Sequence, residues 1–151
     1  MVLLRRLTLL SLVVALLLSP PEIGTVSGQA GGLVDETLVW NRAMLDAIVA
    51  SSLGNPQTMR MAATVNTAMF DARNGVDRKY TPIFVAPTAP PGTHRRAAVV
   101  QAAYVSLRAF YPAELARFDN QRTLSLAEFN GDDPAKVRRG IDWGEKRSGK
   151  R

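Results

Sequence analysis

Cysteine is absent from the 151 residues, which removes disulfides and thiolate metal sites whatever the compartment. Histidine occurs once, at His94. A Ser-His-Asp or Cys-His arrangement needs a base beside its nucleophile, and zinc takes three or four ligands. One imidazole without a spaced partner supplies neither. Between Thr93 and Arg95, at the start of an apolar periodic segment, His94 is expected to be a solvated surface residue. Aromatics make up only 7 % of the chain and no RNA- or DNA-reading motif is present, so nucleic acid is not an expected partner. A Gly-rich phosphate loop is missing too: Gly31-Gly32 has no strand before it, and Gly54-Asn55-Pro56 reads as a helix junction. Carboxylates are few and placed for structure. Asp132-Asp133 before Pro134 suits a helix N-terminus better than a metal, and the Asp35-Glu36 and Asp71/Asp77 spacings suit caps and turns better than a glycosidase pair.

The long apolar run that is present lies at the start. Arg5 and Arg6 precede an uncharged stretch from Leu7 to Leu18, followed by Ser19-Pro20-Pro21 and by small residues at Gly28 and Ala30. Twelve residues span about 18 Å as a helix, short of a hydrocarbon core of about 30 Å. A signal peptide over 1–30 is therefore expected rather than an uncleaved anchor, with the mature chain starting near Gly31 or Gly32 and no stable membrane anchor left after cleavage. The expected location is secreted or periplasmic. Arg5, Arg6 and Glu22 would leave with it, reducing 19 basic and 13 acidic residues to 17 and 12, a net charge of +5. The basic residues are spread out, apart from Arg95-Arg96, Arg138-Arg139 and the tail from Lys146, which is the pattern of a solvated surface.

The remainder, 31–151, reads as an all-α domain of about five helices. Apolar spacing at Trp40, Met44, Ala47 and Ile48, broadened by Leu38, Leu45 and Val49, predicts a first helix from Asp35 or Thr37 to Leu53. Asn55-Pro56 opens a second, rich in Ala and Met, with a stop at Asn74-Gly75. From Val76 to Gly92 periodicity disappears and Pro82, Pro87, Pro90 and Pro91 predict a long loop. A third helix, Thr93 to Phe110, is apolar on more than one side. Pro112 opens a fourth, with Leu115, Phe118, Leu126 and Phe129 inward, and Asp132-Asp133-Pro134 caps a fifth that dissolves from Gly144 onward. The domain is thus expected to be an incomplete bundle.

The run Arg60-Met61-Ala62-Ala63-Thr64-Val65-Asn66-Thr67-Ala68-Met69-Phe70-Asp71-Ala72-Arg73-Asn74-Gly75-Val76, followed by Tyr80-Thr81-Pro82, resembles the N-terminal helical half of vanadium-dependent haloperoxidase-like proteins, which belong with the type 2 phosphatidic acid phosphatases. Trp40-Asn41, Ala102-Ala103-Tyr104, Phe110-Tyr111-Pro112 and Gly140-Ile141-Asp142-Trp143-Gly144 fit the same pattern, extending the likeness over about Val34 to Gly144. Asn66 departs from it, standing where the family often has His. The resemblance implies a vanadate or phosphate site built from a Lys-x6-Arg-Pro, a Pro-Ser-Gly-His and a Ser-Arg-x5-His segment. None of the three occurs here, and His94 alone cannot fill two histidine roles.

The expectation is a truncated haloperoxidase- or phosphatase-like protein, inactive alone, with no catalytic, cofactor-binding or metal-ligating residue of its own. Vanadate belongs to the complete relatives. The expected partner is a second copy or a missing catalytic half, with Met69, Phe70, Val100 and Tyr104 left partly uncovered. The alternatives are a small secreted helical binding protein and a basic exported domain that binds envelope polyanions.

Overall fold

A computed structural model describes residues 35–84 and 88–147; the expected signal peptide and mature start lie outside them. The helices are α1 (Glu36–Ala50), α2 (Asn55–Asp77), α3 (Arg95–Phe110), α4 (Leu115–Ala127) and α5 (Pro134–Arg147), with a 3₁₀ turn at Pro112–Glu114 before α4. Among the described residues there is no strand, and no helix is long and apolar enough to cross a membrane.

The start of each helix follows from its local chemistry. Asp35 caps α1 by accepting from the Thr37 amide at 2.9 Å, and Asp133 caps α5 by accepting from Ala135 at 2.8 Å. α2 begins at Gly54 with Pro56 in its first turn, where a missing N–H costs nothing.

α3 is the hub and packs on all four other helices. Seven consecutive residues, Ala97 to Ala103, are buried, together with Ser106 and Leu107. Small side chains make this possible. On one flank, Gly140 and Gly144 of α5 lie so close to α3 that a Cβ at either would meet backbone, at the carbonyls of His94 and Ala98 respectively. On another flank α2 contributes Ala68 and Ala72, which form one cluster with Ala89, Ala98, Ala102 and Trp143. The larger cluster holds Trp40, Met44, Val65, Met69, Val100, Leu107, Phe118 and Phe129.

Five expectations are corrected. α2 does not stop at Asn74-Gly75 but continues to Asp77, because both residues have tertiary roles. The absent Cβ of Gly75 makes a seat for the Trp143 ring, whose Nε1 donates to the Ala72 carbonyl at 2.9 Å. α5 does not dissolve at Gly144 but runs to Arg147, since the same glycine is needed against α3. Met69 and Val100 are not left uncovered; both belong to the larger core cluster, at 2 % and 0 % exposure. Leu38, Leu45 and Val49 do not broaden the buried stripe of α1, and Leu115 does not point inward. Leu38 is 69 %, Leu45 52 % and Val49 85 % exposed, so α1 buries only the Trp40–Met44–Ala47 side.

Candidate functional site

The polar groups that could carry chemistry fall into three places. The first lies at the C-terminal end of α2, where the motif that carries the family resemblance becomes a clasp. Asp71 is buried, and its two carboxylate oxygens accept from the Ile83 amide at 2.9 Å and the Phe84 amide at 2.8 Å. One turn later Asn74, also buried, accepts on Oδ1 from the amides of Lys79 (3.2 Å) and Tyr80 (2.9 Å) and donates from Nδ2 to the Tyr80 carbonyl (2.7 Å). An i, i+3 pair on one helix face thus fixes the backbone of Lys79 to Phe84. Asp and Asn at this spacing are needed because both accept strongly from backbone N–H groups. Arg73, between them, faces outward and pairs with Asp77, which also meets Arg95.

The second place is the junction of the α1 and α3 N-termini with the α4–α5 link. The expectation of a solvated His94 is corrected here. Its Nδ1 accepts from the Ala97 amide at 3.1 Å, which makes it the N-cap of α3, and its Nε2 lies 3.0 Å from Asp132 Oδ2. The first bond puts the proton on Nε2, so the ring donates to Asp132. Its ring also lies against Phe129, with centroids 4.6 Å apart, and its backbone N–H bonds the Lys136 carbonyl. Both nitrogens therefore have structural partners. On the other side of this junction Arg96 Nη2 reaches Glu36 Oε1 at 2.8 Å, with the guanidinium 4.6 Å over Phe129. Glu36 Oε2 and Arg96 Nε are buried without hydrogen-bond partners among the described residues, as are Trp40 Nε1 and Tyr111 Oη. Burial raises the Tyr111 phenol above its ordinary value.

The third place is a polar chain between α3, α4 and α5. Gln101, buried, donates to Glu145 at 2.6 Å and accepts from Arg122 Nε at 2.8 Å. The Arg122 and Arg108 guanidiniums lie 5.2 and 5.4 Å from the Tyr104 ring centre, and the Tyr104 hydroxyl donates to Asp119 at 2.7 Å. Gln101 was not singled out in the sequence; a lone polar residue inside an apolar run was the available signal.

Between α1 and α2 there is also an open cleft of about 410 Å³, lined by Thr37, Asn66, Thr67, Met69, Phe70, Arg73 and Ile83. Asn66 is exposed, and its Nδ2 donates to the Ala62 carbonyl at 3.0 Å. Being exposed, it needs no buried partner.

These residues do not fit vanadate. That oxyanion needs converging cations and two imidazole roles, whereas the single imidazole here caps a helix and holds Asp132. Among the described residues no three His, Cys or carboxylate side chains come together to hold a metal ion. In comparisons with known proteins, no family model, no curated protein and no solved structure matches this chain.

Proposed function

We propose that this chain is the non-catalytic helical half of a vanadium-dependent haloperoxidase- or phosphatase-like protein, acting outside the cytoplasm as a scaffold for a polypeptide that carries the oxyanion site. The observation that carries the reading is the commitment of His94. With Nδ1 on the Ala97 amide and Nε2 on Asp132, the ring has no nitrogen for a substrate without giving up either the α3 cap or the Asp132 bond. The clasp formed by Asp71 and Asn74 supports the same reading. Polar residues of the motif that carries the resemblance hold the chain's own loop in place, which is a scaffold's task. The outer face of α1 is the surface offered to the catalytic polypeptide. Leu38, Leu45 and Val49 recur at helical spacing, and that face is apolar enough to bury against further helices.

The experiment has two arms. The purified chain with orthovanadate, halide and peroxide, or with a phosphomonoester, shows no turnover. Mixed with a polypeptide bearing the three oxyanion-site segments, it forms a complex in sedimentation that Leu45→Glu/Val49→Glu abolishes. Turnover by the chain alone, lost in both His94→Ala and the cap-competent His94→Asn, would overturn the reading.

A further inference from the structure

The segment held by Asp71 and Asn74 leaves its apolar side chains largely exposed, with the Tyr80 ring tilted against Phe70 at 6.1 Å between centroids and Ile83 at the rim of the α1–α2 cleft. Tyr80 is 69 %, Ile83 62 % and Phe84 82 % exposed. The backbone bonds described above leave this segment little freedom to turn those side chains in. The residue that leads into it, Arg78, is the one non-glycine with a positive φ among the described residues, at 54°. That left-handed conformation is unfavourable for a residue with a Cβ and persists only where surrounding bonds impose it. Here they are the Arg78 N–H on the Asn74 carbonyl and its guanidinium on the Ala89 carbonyl at 3.3 Å. A constrained segment that shows Ile and Phe to water marks an interaction surface.

The charges beside this tip are of one sign. Arg78 and Lys79 are exposed within it, and no acidic residue occurs from Arg78 to Phe84. Arg73 and Arg95 border it; the acid between them, Asp77, is paired with both, and Asp71 is buried under the tip. A protein surface that covered Ile83 and Phe84 would also have to desolvate Arg78 and Lys79 beside them. A headgroup plane accepts cations and apolar side chains within the same short span. Tyr80, with an apolar ring and a polar end, suits the boundary between the two.

We propose that Tyr80 to Phe84 is a docking tip for an anionic lipid surface. Ile83 and Phe84 enter the acyl boundary, Tyr80 lies at headgroup depth, and Arg78 and Lys79 meet the lipid phosphates.

The test uses the full chain carrying Phe84→Trp, because both native tryptophans, Trp40 and Trp143, are buried and give a shielded background. The chain is mixed with vesicles of phosphatidylcholine and phosphatidylglycerol with brominated acyl chains, or with brominated phosphatidylcholine alone. With anionic vesicles the added emission shifts to the blue and is quenched; with neutral vesicles it is not. Adding Lys79→Glu raises the lipid concentration for half-quenching by roughly tenfold, since a cation at an anionic leaflet contributes severalfold and the reversal removes one and adds a repulsion. The readout comes from position 84 itself, so vesicle binding through Leu7 to Leu18 cannot imitate it. Emission that stays iodide-accessible with anionic vesicles overturns the proposal, as does equal quenching by neutral ones. Shielding that grows with protein concentration without lipid also overturns it, and assigns the tip to a second copy.

Discussion

Asp71 holds two amides of a segment twelve and thirteen residues further along, so its removal acts on the loop before it acts on the core. Hydrogen bonds to a charged acceptor are each worth about 1.5–3 kcal/mol, and these are only partly buried, which puts Asp71→Ala at a cost of about 2–4 kcal/mol. Asp71→Asn keeps one acceptor oxygen and should cost about half as much. Released from Asp71, the loop exposes Arg78 and Lys79 to trypsin, so nicking there should accelerate in Asp71→Ala while α3 stays intact. Unchanged tryptic kinetics would show that the clasp does not hold the loop.

Tyr111 has the opposite problem, a buried hydroxyl without a partner. Desolvation disfavours its phenolate in the folded state and raises its pKa above the ordinary value of 10.0. The unfolded chain ionises near that value while the folded chain keeps the proton. This contribution to stability is therefore fully present below pH 10 and is lost as pH rises through the folded pKa. Denaturant midpoints should be level up to about pH 10, and Tyr111 should lower them from there until its folded pKa is passed. Tyr111→Phe should remove Tyr111's share of the fall, at little cost at neutral pH, because no hydrogen bond to the hydroxyl is lost. An alkaline fall identical in the variant would assign it to other groups.

At the scale of the elements, the α3–α5 contact depends on two missing side chains. Ala normally favours a helix over Gly by about 1 kcal/mol, yet a Cβ at Gly144 would meet the Ala98 carbonyl and the Ala102 amide, both fixed in α3. Backbone cannot give way as a flexible side chain would, so overpacking wins. Gly144→Ala should destabilise by about 1–3 kcal/mol. Gly131→Ala is the control, since nothing lies within 4 Å of its added Cβ, and it should be neutral in the same urea titration. Equal effects at the two positions would refute the close contact.

The same glycines explain what was legible in the sequence. Helix starts were readable because Asp35, Pro56 and Asp133 act on their own first turns, through bonds that local spacing reveals. Helix ends were not. Asn74-Gly75 has the composition of a stop, and Gly144 begins what looks like a tail, but each is used by a partner far away in the sequence. Trp143 sits over Gly75, and α3 lies against Gly144. The roles of His94 were hidden for the same reason, since Asp132 lies 38 residues away. On α1, periodicity identified the helix but not which of two apolar sides faces inward, because Leu38, Leu45 and Val49 repeat as regularly as Trp40, Met44 and Ala47.

For the whole molecule, that second apolar side decides how the isolated chain behaves. The core is closed around α3, so the chain should unfold cooperatively rather than as a loose collection of helices. Besides the Tyr80–Phe84 tip, exposed apolar side chains line the outside of α1, where the Arg42–Asp46 ion pair interrupts Leu38, Leu45 and Val49. An exposed i, i+4 pair contributes only about 0.3–0.5 kcal/mol, too little to keep that face in water when an apolar partner is offered. In the absence of a catalytic polypeptide the available partner is another copy, and two α1 helices can pair through this stripe. Sedimentation should therefore show concentration-dependent self-association of the wild-type chain. Leu45→Glu/Val49→Glu should give monomers with an unchanged thermal midpoint, because neither side chain contributes to the core. A drop in that midpoint would mean that the stripe is part of the fold, and association that persists in the variant would move the contact elsewhere on the molecule.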